Sequence, residues 1–412
     1  LLLLLVSSSY SQLEKCNWHF GYNSGLNFDP ITKQPVATNN SSLYSLEGCA
    51  SISDSLGNLL FYTNGVTVWN KNHSILTNGS YLNGVQHATQ NAVIVQKPNS
   101  QNLYYIFTMG DTTKIDYGLC YSIVDMNQSG NLGAVTQKNV QVMGSLMEQL
   151  CAVRHSNCND IWVIVYERFE NNFCAFLLTE TGISGPVVSP GNLKHNQRMG
   201  GYLKASETGE KIVFSHSDCE AFEIFSFNNS TGKISNPIVL SGWNWPYCSE
   251  FSKSGKYLYG TTINPARILQ FDLTSGDENI INSSVKQIAI KTNFYFFGAL
   301  QFGIDGKIYV SQYEQGYIGV INNPEESGDL CDFQESGIFL NGKRCSFGLP
   351  NFVNTFNKSK CEIILTTITV LCEGDSLILE AKEYPNAAYL WSGPNNFSSP
   401  NRVVKIPNVD LN

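Results

Sequence analysis

The chain has 412 residues, carries 34 acidic against 26 basic side chains, and has a net charge of −8 at pH 7. This length exceeds what one small core needs, so we expect one large all-β domain followed by something smaller. The negative charge and the lack of a lysine- or arginine-rich block argue against nucleic acid as a partner. Only 15% of the residues are charged while Gly, Tyr and Phe are abundant, which is typical of turn-dense β structure on an extracellular protein.

The first residues favour export. Residues 1–6 are apolar, and residues 7–12 are small or polar. The apolar run is too short to span a bilayer, and the pattern is typical of the end of a secretory signal peptide. We therefore predict that residues 1–12 are a signal-peptide remnant on a secreted or cell-surface protein without a transmembrane segment; a buried N-terminal strand is the alternative.

Twelve cysteines agree with an oxidising compartment. Cys331 and Cys345 flank a loop of hairpin size, and Cys361 and Cys372 flank a run of strand size, so these are the favoured local disulfide pairs. Spacing does not fix disulfide connectivity. No CxxC pair and no His-x3-His spacing occurs, so we expect no metal site and no cofactor.

One repeated unit organises most of the chain. Residues 298–323 predict three short strands separated by two glycine-containing turns, because apolar and polar residues alternate between the turns. Similar units start upstream, and each is followed by a more variable fourth segment; the six copies begin at Cys49, Asn91, Leu150, Tyr202, Ser249 and Ala299. This period and strand count predict the blades of a β-propeller. The strands of the repeated units carry four large aromatic residues that we predict to pack between blades: Trp69, Trp162, Tyr259 and Tyr309.

Two segments remain outside the six copies. Residues 349–353 resemble a first strand with no second or third strand after it, whereas residues 18–28 form strands that lack a first one. Joining them closes the ring and removes free sheet edges. We predict a seven-bladed, WD40- or lactonase-like propeller over residues 13–357; an open stacked array or a sandwich is the alternative.

The pattern changes after Cys361. Strand-like runs at residues 363–371 and 377–381 and a tryptophan at 391 predict the first part of an Ig-like β-sandwich. We assign residues 358–412 to a partial PKD or Ig-like domain and expect the sequence to be a fragment.

Several phrases together resemble one known group of proteins. They are residues 47–54, 57–70, 118–125 and 319–324, with residues 372–376 and 389–391 resembling the opening of a PKD module. The chain resembles secreted proteins of the Bacteroidetes type, in which a propeller precedes PKD or Ig-like repeats and a gliding-motility-associated, type IX secretion sorting domain. The resemblance implies export and surface attachment through a further C-terminal region. It supplies no catalytic residues.

Candidate ligand-binding residues lie on loops that a propeller gathers on one face. The loops before the first strands and those between second and third strands meet around the channel mouth, where polar side chains can hold a sugar, a peptide or a cation. These residues are Glu47, His87 and Glu148 on the first set, and Glu167, Arg168, His216, Asp218, Arg267 and Glu314 on the second. Ordinary solvated loop residues would show the same pattern.

Two functions remain open at this point. No GxSxG elbow and no phosphate-binding glycine loop is present, so we assign no catalytic residue and favour a secreted recognition or adhesion protein that binds a glycan, peptide or protein. The alternative is a lactonase- or glycosidase-like hydrolase. It would use a carboxylate pair drawn from Glu47, Glu148 and Glu250.

Overall fold

The computed structural model describes residues 12–110, 118–193, 200–291, 295–354, 376–380, 391–392 and 397–407. Up to residue 354 the chain forms seven antiparallel sheets, which we call blades 1 to 7 in chain order. The predicted seven-bladed, all-β propeller is therefore confirmed. The short elements outside the sheets are 3₁₀ turns at Gln12–Lys15 and Gly328–Cys331 and one helix, α1, at Glu278–Ser283.

Within each blade, consecutive strands are hydrogen-bonded neighbours, as expected for a meander. Blades 1 and 2 have three strands each: β1 (Asn17–Phe20), β2 (Ser24–Phe28), β3 (Pro35–Thr38); β4 (Ala50–Ser53), β5 (Leu59–Thr63), β6 (Val68–Asn70). Blades 3 to 5 have four: β7 (Ala92–Gln96), β8 (Leu103–Met109), β9 (Leu119–Asp125), β10 (Ala134–Met143); β11 (Leu146–Arg154), β12 (Ile161–Glu167), β13 (Asn172–Thr179), β14 (Gly182–Pro190); β15 (Leu203–Ala205), β16 (Lys211–His216), β17 (Ala221–Asn228), β18 (Lys233–Ser241). Blades 6 and 7 also have four: β19 (Pro246–Phe251), β20 (Tyr257–Ile263), β21 (Ala266–Asp272), β22 (Lys286–Lys291); β23 (Phe297–Phe302), β24 (Ile308–Gln312), β25 (Tyr317–Ile321), β26 (Phe333–Phe339).

The hydrophobic core lies between neighbouring blades. Trp162 donates its indole N–H to the Asn229 carbonyl of blade 5, and the Tyr259 hydroxyl donates to the Pro324 carbonyl of blade 7. The Tyr309 ring lies 5.2 Å from the Trp18 ring of blade 1, which closes the circle. The predicted inter-blade packing is therefore confirmed for these three, whereas Trp69 stacks on Tyr62 within its own blade.

Blade 1 is completed by the segment of residues 345–354, which we call the closing segment. The second strand of a blade packs on the first strand of the next blade, as β16 does on β19, and β1 packs on β4 in this way. The vacant first position of blade 1 is filled by Phe347, whose carbonyl accepts from Ala299 N at 2.7 Å and whose N–H donates to Leu46 O at 3.0 Å. Both ends of the domain thus meet at blade 1 as predicted, but the predicted first strand at residues 349–353 is wrong, because these residues form no strand and Pro350 bridges to Cys49 of blade 2.

The closing segment then departs from the predicted strand. Asn351 N donates to Cys49 O at 2.8 Å in blade 2, and Asn354 N donates to Ala152 O at 2.8 Å in blade 4. The segment therefore crosses the central channel to the far side of the ring. It lies against the inner strands and does not pair along β1.

The predicted disulfide between Cys331 and Cys345 is wrong, because both are free, buried thiols. The extended strand β26 lies between them, and a seven-residue strand holds its ends roughly 20 Å apart. A disulfide needs Cα atoms within about 7 Å. Cys361 and Cys372 lie outside the described residues.

After the propeller, described residues form two small sheets around the buried Trp391. They pair β27 (Leu377–Glu380) with β30 (Val403–Ile406), and β28 (Trp391–Ser392) with β29 (Ser398–Ser399). The Ig-like or PKD sandwich remains a prediction, as do the leader and the domain boundaries. No helix in the described part of the chain is long and apolar enough to cross a membrane.

Candidate functional site

The start of each first strand and the end of each second strand lie on one face of the ring, because the two strands are antiparallel. We call the centre of this face the channel mouth. All nine predicted binding residues belong to loops or strand ends on this face. The structure brings only some of them together.

Glu47 and Glu148 both lie at the mouth, on blades 2 and 4, near enough for the charge of Glu148 to act on Glu47. The Tyr247 hydroxyl donates to Glu47 Oε1 at 3.3 Å. Burial, and secondly the negative charge of Glu148, raise the pKa of the Glu47 carboxyl to about 8. Glu47 is therefore largely protonated at neutral pH, where it can donate as well as accept a hydrogen bond.

Glu148 is held by blade 3. Its Oε2 accepts from the backbone N–H of Thr89 at 3.1 Å and from the Thr89 hydroxyl at 3.3 Å. These two bonds fix the carboxylate at the rim. Each of the two carboxyl groups is thus held by another blade, Glu47 through Tyr247 of blade 6 and Glu148 through Thr89 of blade 3.

Below this pair the channel is filled with protein. Gln90 is fully buried, and its Oε1 accepts from Leu203 N at 2.7 Å and from Leu150 N at 3.3 Å. Deeper still, Asn351 of the closing segment donates to Leu150 O at 2.8 Å. The centre of the mouth therefore has a polar floor held by bonds to several blades.

An aromatic wall borders the pair on the side of blade 7. Tyr313 stacks on Phe347 with ring centroids 4.4 Å apart, and Phe296 lies 6.0 Å from Phe347. All three side chains are partly exposed. Tyr247 joins this wall to Glu47, because its ring lies 5.6 Å from that of Phe347.

This wall was not predicted from the sequence. Its signal was the position of Phe296 directly before a first strand, which matches the position of Glu47 before β4. Phe347 was hidden because its segment follows the last complete copy.

The other predicted residues lie farther apart on the same face. His87 and Glu314 are exposed. Glu167 accepts from Asn172 Nδ2 at 2.9 Å, and the Arg168 guanidinium lies over the Phe169 ring. Arg267 is the second residue of β21 in blade 6. Glu250, the third carboxylate weighed for hydrolysis, is buried beside Lys204, with Nζ and Oε2 3.2 Å apart. It belongs to the core and not to the mouth.

His216 and Asp218 come together with Cys219 in the turn after β16. One nitrogen, oxygen or sulfur atom of each lies within 4.8 Å of the others. His216 Nε2 lies 2.6 Å from Oε2 of the buried Glu223. Burial, and then Asp218, raise the pKa of the Cys219 thiol. His216 and Asp218 were predicted from the sequence as candidate binding residues, whereas Cys219 and Glu223 were not.

No protein-family model matches the chain, and neither does any curated protein. Among solved structures, it is similar to a 6-phosphogluconolactonase-like protein of Bacteroides fragilis, with 10% identity and a TM-score of 0.49 over 84% of this chain and 97% of that one. A second such protein, from Bacteroides uniformis, shares 12% identity at a TM-score of 0.45 over 87% and 96%. The Dos1 propeller shares 12% identity at a TM-score of 0.41 over 70% of both chains. These similarities concern the fold alone.

Proposed function

We propose that the propeller is a secreted or cell-surface recognition module that binds a glycan at the channel mouth. The observation that carries the proposal is the partly exposed aromatic wall of Phe296, Tyr313 and Phe347, joined through Tyr247 to the carboxyl of Glu47. A sugar ring has apolar C–H faces and a rim of hydroxyls. Aromatic rings can pack on the faces, and carboxyl groups can hydrogen-bond to the hydroxyls. Ligand pockets commonly combine apolar and aromatic side chains with a few polar groups that orient the ligand.

The filled channel supports a binding role. Gln90 and the closing segment fix the floor through bonds to several blades, so a ligand meets a preformed surface and little conformational entropy is lost on binding. Export is supported by the leader-like residues 1–12, and attachment to the cell surface through a further region is part of the proposal.

The test is an array of host and microbial glycans probed with the full chain. We expect binding to a subset of glycans, and Tyr313→Ala to weaken it about tenfold or more because a central aromatic contact is lost. Phe339→Ala is the control, because Phe339 is exposed on the outermost strand of blade 7. Binding to surface proteins but to no glycan would replace the proposed ligand class, and binding to neither would contradict a recognition role.

A hydrolase is the second candidate, and one observation favours it. The pKa of Glu47 is raised by burial and then by the charge of Glu148, so the mouth holds a protonated acid and a second carboxyl group, the two kinds of group that glycosidases use. A screen of glycosides and lactones would reveal turnover, which Glu47→Gln and Glu148→Gln should each abolish while Glu170→Gln should not. Equal turnover in all variants would exclude the mouth as an active site.

A further inference from the structure

The turn between β16 and β17 gathers three kinds of metal-binding atom at one place. His216 ends β16, and Asp218 and Cys219 follow within the turn, so an imidazole nitrogen, a carboxylate oxygen and a sulfur approach one another within 4.8 Å. We propose that His216, Asp218 and Cys219 bind a zinc ion. Zinc accepts this mixture of ligands, whereas calcium and magnesium require oxygen atoms.

The surroundings of His216 support this assignment. Strand pairing places Glu223 of β17 opposite Phe214, and Glu223 Oε2 lies 2.6 Å from His216 Nε2, with both side chains almost fully buried. Asn192 Nδ2 donates to the other carboxylate oxygen at 2.9 Å, and the Phe214 ring lies 3.7 Å from the imidazole. A carboxylate that holds one histidine nitrogen is the usual outer partner of a zinc-bound histidine. His216 Nε2 therefore donates its N–H to Glu223, which leaves Nδ1 as the nitrogen that binds the ion.

The chemistry of binding is simple. The ion takes a neutral imidazole, a carboxylate and a thiolate, and the thiol proton of Cys219 leaves to solvent. Three protein ligands leave one position of a tetrahedral ion for water or a ligand atom. The spacing His-x-Asp-Cys differs from that of zinc fingers, which is why sequence spacing predicted no metal. The site lies in blade 5 and is independent of the glycan proposal.

The experiment uses the full chain after treatment with a chelator. Titration calorimetry with Zn²⁺ should give one ion for each chain, and Co²⁺ should give a thiolate-to-metal charge-transfer band. Cys219→Ser should remove the band, and Asp218→Asn should weaken zinc binding about tenfold or more. The control Asp329→Asn, an exposed aspartate in blade 7, should bind like the wild type. The proposal would be overturned if the wild type bound no stoichiometric zinc. It would also be overturned if Cys219→Ser and Asp218→Asn bound zinc with wild-type affinity.

Glu223→Gln tests the positioning role separately. Glutamine preserves the shape but weakens the hold on the imidazole, so we expect about 10- to 100-fold weaker zinc binding with the cobalt band still present. Circular dichroism of each variant in the absence of metal shows whether it is folded. A folded Glu223→Gln protein with wild-type affinity would contradict the assignment of Glu223 to His216.

Discussion

Glu47 lies on a loop, yet its environment in the ring changes its acid–base behaviour. Its pKa is raised from the ordinary 4.5 to about 8, so the folded chain holds a proton that the unfolded chain releases. The resulting contribution to stability is complete below about pH 4.5 and is lost as the pH rises through 8. We expect the wild type to lose roughly 3–4 kcal/mol more unfolding free energy than Glu47→Gln between pH 5 and pH 8. Urea denaturation across this range measures the difference. Glu170→Gln, a change at an exposed residue, should show the same dependence of unfolding free energy on pH as the wild type. The same pH dependence in Glu47→Gln and the wild type would contradict the raised pKa of Glu47.

The closing segment is the element that deviates most from a regular blade. Asn351 is buried and donates to the Leu150 carbonyl at 2.8 Å, which ties the segment to blade 4. Asn351→Ala leaves this buried carbonyl without its partner, and we expect a loss of about 1–3 kcal/mol in unfolding free energy. Asn127→Ala, an exposed change in blade 3, should stay within about 0.5 kcal/mol of wild type. Denaturant unfolding of both variants tests this, and equal stabilities would mean that the segment contributes little.

At the scale of the whole molecule, stability depends on closing the ring. Trp18 is fully buried and contacts Phe28, Tyr309 and Phe352, with ring centroids 5.2, 5.2 and 5.9 Å away, so it joins blade 1, blade 7 and the closing segment. Trp18→Ala should cost about 3–5 kcal/mol, because it opens a cavity where three parts of the ring meet. Phe169→Ala removes a ring that is 55% exposed and should cost far less. Thermal and chemical unfolding measures the stability of both variants. A similar small loss of unfolding free energy in each would show that the packing around Trp18 contributes little to closing the ring.

The blades themselves were predictable because local signals decide them. In blade 7 the alternation after the turn at Gly306 predicted residues 307–312 as a strand, and the structure forms β24 at Ile308–Gln312. Gly306 has a φ of +86°, which glycine adopts without strain. The disulfide prediction failed because a loop length says nothing about the extended strand that separates Cys331 from Cys345.

The candidate sites were also predictable only in part from the sequence. The sequence by itself determined that Glu47, Glu148, His216 and Asp218 lie on one face, because strand direction alone assigns loops to faces. Only the tertiary structure decided their neighbours: it placed Tyr247 and Phe347 beside Glu47, brought the charge of Glu148 close enough to raise the pKa of Glu47, and placed the buried Glu223 against His216. The reason is physical. Strands and turns follow from short-range periodicity and backbone preferences, whereas distances across a ring and the burial that shifts a pKa depend on packing between residues far apart in the chain.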